Sequence, residues 1–160
     1  MARYLVVAHQ TVGRPELLDR LKAIAGDDTT AWFTVLVPAT DPSHLLVWEA
    51  GDARDIAQRK AQTARDVLSQ AKLHVTRTAV GDASPVVAIE EELRAHPGAH
   101  ASVILCTLPA GVSRWLGLNV VEEAVERLKL PIEHVVAGDV YDATLDSLAN
   151  PGPGEPGIAY

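Results

Sequence analysis

Five short runs rich in Val, Ile and Leu, separated by stretches with helical spacing, constrain this chain more than any other feature. The runs are Tyr4–Ala8, Trp32–Val37, Leu73–Val80, Ser102–Thr107 and Ile132–Val136. None alternates strictly between apolar and polar residues, which is the pattern of strands covered on both faces of a parallel sheet. Strand alternating with helix calls for right-handed crossovers and an open, doubly wound α/β sheet with helices on both faces. In such sheets ligands bind beyond the carboxyl ends of the strands, where the winding reverses.

The intervening segments carry helix signals. Pro15 suits the first turn of helix one, whose Leu17, Leu18, Leu21, Ile24 and Ala25 form one stripe ended by Gly26 and two aspartates. Helix two, from about Glu49 to Lys72, repeats Ala53, Ala57, Ala61, Ala64, Leu68 and Ala71 at spacings of three and four, small residues that let it lie close to a sheet. Ser84-Pro85 offers a hydroxyl cap and a first-turn proline for helix three, which stops near His96-Pro97-Gly98. Helix four is expected to start within "TLPAGVSRWLGLN" (Thr107 to Asn119) and to run unbroken to about Lys129. Before helix two, Thr40–Trp48 reads as an irregular loop. Its "HLLVW" is either a lid over the crevice or an extra helical turn at the sheet edge.

A chain of 160 residues suits one domain with a real core. The α/β pattern occupies residues 1–138. Residues 139–160, with "NPGPGEPG" and no sustained period, read as an acidic Pro/Gly-rich tail, flexible by default, whose Ile158 and Tyr160 offer docking groups for a partner. The net charge of −7 argues against non-specific nucleic-acid or anionic-membrane partners. No apolar run approaches the ~20 residues of a membrane span. With one cysteine, Cys106, and no signal-peptide pattern, a cytoplasmic location is expected.

Two stretches resemble the universal stress protein (UspA-like) family. "VGDASPVVAIEEEL" is similar to its third-strand exit, and "GVSRWLGLNVVEEAVERLKLPIEHVV" to its last helix and closing strand. The resemblance spans about residues 2–137 in layout. It implies a five-stranded sheet of order 3-2-1-4-5, of the adenine nucleotide alpha hydrolase-like type, and a homodimer. Here that dimer would form through strand five, Ile132 to Val136, an apolar sheet edge open to a second chain. Many members bind ATP through a Gly-x-x-Gly, nine residues, Gly-Ser/Thr motif after strand four. Aligned through Gly111-Val112-Ser113-Arg114, a glycine of the first pair falls on Leu108 and, nine residues on, the Gly-Ser pair falls on Leu118-Asn119, while His9 stands where binders usually carry an Asp. Glycines let backbone approach phosphate oxygens, and Pro109 lacks an N–H. The glycine motif is therefore degenerate, and no cofactor is assigned beyond ATP or another nucleotide as the ligand to test.

The candidate ligand residues are His9, Thr11, Gly13, Arg14, Val37, Asp82, Thr107, Gly111, Val112, Ser113, Arg114 and Asn119. A helix-four N-terminus would favour an anion, with Ser113 and Arg114 adding a hydroxyl and a guanidinium. The alternative is that Ser113 caps the helix and both arginines face solvent. His9 is the candidate for a pH-dependent contact, or a histidine bonded to a neighbouring loop. Asp82 either bonds a ribose hydroxyl or starts the turn into helix three.

Other chemistry is weaker. Gly111-Val-Ser113 lacks the second glycine of a nucleophile elbow, since Trp115 stands there, and His134 has no well-placed acid partner. His96 and His100 are four apart, but Pro97-Gly98 stops the helix that would align them on a metal. Glu90–Glu92 and Glu122–Glu123 read as solvated helix faces. The expectation is a non-enzymatic, stress-protein-like regulatory or protective domain with altered or absent ATP binding. Two alternatives stand beside it: a nucleotide or phosphate binder, able to act as a slow ATPase, with a rebuilt strand 1/strand 4 site, and an interaction module acting through dimer edge and tail.

Overall fold

The computed structural model describes residues 2–40, 50–110 and 113–138. In chain order they form β1 (Arg3–Val7), α1 (Pro15–Asp27), β2 (Trp32–Pro38), α2 (Ala50–Gln70) and β3 (Val75–Gly81). There follow α3 (Pro85–Ala95), β4 (Ser102–Thr107), α4 (Arg114–Gly117), α5 (Val120–Arg127) and β5 (Ile132–Val136). The strands make one parallel five-stranded sheet of order β3-β2-β1-β4-β5. The expected doubly wound sheet and its strand order are both present.

Alternating side chains feed two cores. Val6, Phe33, Val35, Ile104 and Cys106 meet Leu17 and Leu21 of α1 and the Ala57, Ala61, Ala64 and Leu68 stripe of α2. Leu5, Val7, Leu36, Val103 and Leu105 meet Val86, Ala88 and Ile89 of α3, Trp115 of α4 and Val120 and Ala124 of α5. The α3 layer is so close to the sheet that a Cβ on Gly81 would lie 2.6 Å from the Ala88 Cβ. That glycine is required for contact, not for its backbone angles.

Both proline-started helices form as the sequence indicates. Pro15 opens α1 behind Arg14, and Pro85 opens α3 behind Ser84, whose side chain accepts from the Val87 N–H at 3.4 Å. α2 ends at Gln70. Lys72 then takes a left-handed φ of 62°, with Lys72 N–H to Ser69 C=O at 2.9 Å and Leu73 N–H to Leu68 C=O at 3.0 Å. These two bonds close a Schellman turn, so Leu73 caps the core below α2 and the strand starts at Val75, later than the apolar run suggests.

Two features depart from the sequence reading. Helix four is broken: α4 is a single turn, Asn119 sits in the left-handed region at φ 56°, and α5 restarts at Val120. Gly117 and Asn119 supply the weak point, and the break lets Trp115 bury fully. The second is a bulge. Phe33 faces Val75 and Thr34 faces Arg77, so Thr76 has no opposite residue on β2. The extra residue reverses the strand's alternation, leaving Val75 in the α1/α2 layer and turning Arg77 and Ala79 towards α3.

Candidate functional site

The carboxyl ends of β1 and β4 lie side by side at the switch point of the sheet, where β1 runs on into residues 9–14. That loop is a chain of turns: Val12 N–H reaches His9 C=O at 3.5 Å and Arg14 N–H reaches Thr11 C=O at 3.0 Å. Thr11 is buried, and its hydroxyl donates to the Cys106 carbonyl of β4 at 3.3 Å, tying loop to strand. Thr107 is also buried. Its hydroxyl donates to the Leu108 carbonyl at 2.9 Å and lies 2.7 Å from Nε2 of His134 on β5. With the hydroxyl proton so placed, His134 is the donor to Oγ1.

His9 is fully buried, and burial with the nearby Lys60 ammonium holds its pKa at about 4, so the imidazole is neutral near pH 7. Lys60, half-buried on α2, is itself pushed below the usual amine range by burial and by Arg14. Lys60 escaped the sequence reading. It is three residues beyond Ala57 and four before Ala64, at the margin of the buried stripe, which is the signal that would have found it. The second helix thus brings a cation to His9, and that cation in turn faces Arg14 at the start of α1.

Ser113 is buried and caps α4: its Oγ accepts from the Leu116 N–H at 3.3 Å while its own N–H donates to Pro109 C=O at 2.9 Å. α4 has four residues and so little of the aligned dipole that a long helix four would bring to this turn. The two leucines that stand at the family's glycine positions part company. Leu108 is buried at 2% exposure, whereas the helix break leaves Leu118 at 59% exposure, outside the core. Asn119 is exposed on the same turn. Val37 is buried in the α1/α2 core, and Gly13 has open space where a Cβ would be. Asp82 Oδ1 accepts from the Ser84 N–H at 2.9 Å, starting the turn into α3. Gly111, Val112, Trp48 and the tail lie outside the described residues.

Three described groups that suit covalent chemistry have other surroundings. The Ser113 hydroxyl holds a helix end and His134 serves Thr107. Burial pushes the Cys106 thiol up to about 11, leaving it a small hydrophobe. Among the described residues no cluster of three or more His, Cys, Asp or Glu is arranged for a metal. The turn at Gly98, φ 71°, nonetheless returns the chain so that His96 and His100 both face Glu92, their Nε2 atoms 4.0 and 3.4 Å from Oε1. Glu92 is not on a solvated face. It lies three residues after Ile89 and four after Ala88, on the sheet-facing stripe, and is buried against Arg77. Glu90 is half-buried and pairs with Arg127.

No protein-family model matches the sequence, and neither does any curated protein. No helix among the described residues is long and apolar enough to cross a membrane. A crystal structure of a protein from the universal stress protein family from Burkholderia pseudomallei is similar, with a TM-score of 0.53 over 83% of this chain and 94% of that one. The two sequences are 12% identical, so the likeness is one of architecture. Together with the strand order, it gives this chain a universal-stress-protein-like α/β fold.

Proposed function

We propose that this chain is a non-enzymatic, stress-protein-like regulatory domain in which the ATP grip of the fold has been dismantled. One observation carries the reading: at the crevice the hydroxyl protons of Thr11 and Thr107 are spent within the protein and Ser113 Oγ caps α4, beside a buried Leu108. A nucleotide would have to displace bonds that hold the loop to the strand. The test is a thermal-shift series with ATP, ADP, AMP, cyclic nucleotides and inorganic phosphate, with and without magnesium. A ligand at 100 times its Kd adds about 2.7 kcal/mol, or roughly 5–10 °C for a domain of this size. No shift with any of them is the expected result, and a shift with ATP abolished by Arg114→Ala would overturn it.

A second reading has its own support in Lys60. Among the described residues no carboxylate pairs with this half-buried ammonium, which faces Arg14 and His9. An anion there would be favoured by both cations. That reading requires a phosphate-dependent shift that Lys60→Gln removes.

The same proposal includes a cytoplasmic homodimer paired across β5. This strand is an edge of the sheet, and every one of its residues is half-buried in the single chain.

A further inference from the structure

At the amino ends of β1, β2 and β3, the opposite end of the sheet from the crevice, a cavity of about 430 Å³ opens beneath the end of α3. Arg3 and Trp32 are register partners on β1 and β2, and Thr34 and Arg77 are partners on β2 and β3. By alternation with Leu5 and Leu36, all four side chains belong to the α3 face, Arg77 only because of the bulge at Thr76. The loop that follows α3 closes the cavity with His96 and His100.

The lining is chemically specific. Trp32 presents a large aromatic face, 37% exposed, flanked by the His74 ring at 5.4 Å. Arg3 is exposed, and among the described residues no carboxylate pairs with it. The Glu92 carboxylate behind the wall is already matched by Arg77 and His100, so the charge left over at the mouth is positive. His100 is buried at 8% exposure. Its Nε2 faces Glu92, which places the proton on that nitrogen and leaves Nδ1 an acceptor, and Nδ1 is buried without a hydrogen-bond partner among the described residues. One free guanidinium with a carboxylate close behind suits a single negative charge better than a polyphosphate. The volume suits a small ligand.

We propose that this cavity binds a small planar organic monoanion, an aromatic or heteroaromatic carboxylate whose ring stacks on Trp32 and whose carboxylate meets Arg3. The site is independent of the crevice at the other end of the strands and of whether nucleotide binds there.

The experiment is a ¹H–¹⁵N NMR titration of the full chain with indole-3-carboxylate, using indole-3-carboxamide and inorganic phosphate as separate probes. Saturable shifts are expected at the amides of Thr34, Ala99 and His100 and at the Trp32 indole N–H. The neutral carboxamide should bind about tenfold more weakly, and Arg3→Gln should weaken the carboxylate by a similar factor, the worth of one charge-assisted contact. Trp32→Ala should abolish saturation. Both positions are exposed, so both variants should keep the parent spectrum away from the cavity. The proposal is overturned if neither indole probe gives saturable shifts, if the carboxylate binds both variants as it binds the parent, or if its shifts map to residues 9–14.

Discussion

Arg77 on β3 and Glu92 on α3 form an ion pair of unequal halves: the carboxylate is buried, while the guanidinium is about one third exposed. The halves should therefore differ when removed. Arg77→Ala leaves a buried carboxylate with only His96 and His100 beside it, and a loss of about 3 kcal/mol is expected. Glu92→Gln keeps the volume and an acceptor, and the freed guanidinium has solvent within reach, so about 1–2 kcal/mol is expected. Urea denaturation of the two variants checks the order; equal losses would mean the pair is not what seats α3.

Gly81→Ala should destabilise by about 1–3 kcal/mol, because the new methyl meets the Ala88 Cβ with backbone on both sides. Combining it with Ala88→Gly should recover part of that loss, limited by the cost of a glycine within α3. A double-mutant cycle measured by denaturant midpoint reads the coupling directly.

Lys72 holds a left-handed turn where glycine is at ease. Lys72→Gly should raise stability by about 0.5–1 kcal/mol, the gain from relieving αL strain less the added freedom of the unfolded chain. A rise in thermal midpoint of a few degrees is the expected reading, and a fall would argue against the Schellman turn.

Acid should weaken the fold through His9. His9 has a folded pKa of about 4 against an ordinary 6.5, so between those values the unfolded chain binds more protons. Stability from this group is complete above about pH 6.5 and is lost as pH falls towards 4, a difference of about 3 kcal/mol. Burial shifts His100 and His134 in the same direction. Urea midpoints at pH 7 and pH 4.5 should differ accordingly, and His9→Asn should flatten the dependence. A slope unchanged in the variant would remove His9 from the account.

The edge of β5 makes its own prediction. Ala137 N–H donates inward to Thr107, so alternation turns the Val136 N–H towards the open side. Val136→Pro removes only that outward donor and should convert the proposed dimer to monomer in sedimentation equilibrium, with helix content unchanged. A dimer that survives the substitution does not pair through this edge.

The sequence carries the sheet plainly because buried parallel strands are written as continuous aliphatic runs and their helices as stripes with proline starts. Ser84-Pro85 and Pro15 sit within a residue of where the signals place them. Its local phase is harder to read. A single bulged residue in β3 leaves no mark in so short a run, and the break at Gly117–Asn119 hides inside a pattern that stays amphipathic on both sides. Glu92 neighbours Glu90 and Glu91 in sequence, but helical periodicity sets it with Ala88 and Ile89 on the buried stripe. Of the candidate site, the grouping of residues near β1 and β4 came with the strand order that the family resemblance implies. Lys60 and the cavity under α3 were not legible, since both depend on how far the helices slide along the strands.

Thr76 makes β3 a strand written in two frames. Ahead of it the odd-numbered residues face the alanine-lined layer, and after it the odd-numbered ones face α3. Deleting that residue would take out the bulge and leave Arg77 following Val75 by ordinary alternation, still opposite Thr34, with Gly81 still under Ala88. The strand can lose a letter here and keep its faces, whereas a loss farther along the paired run would turn the remainder over.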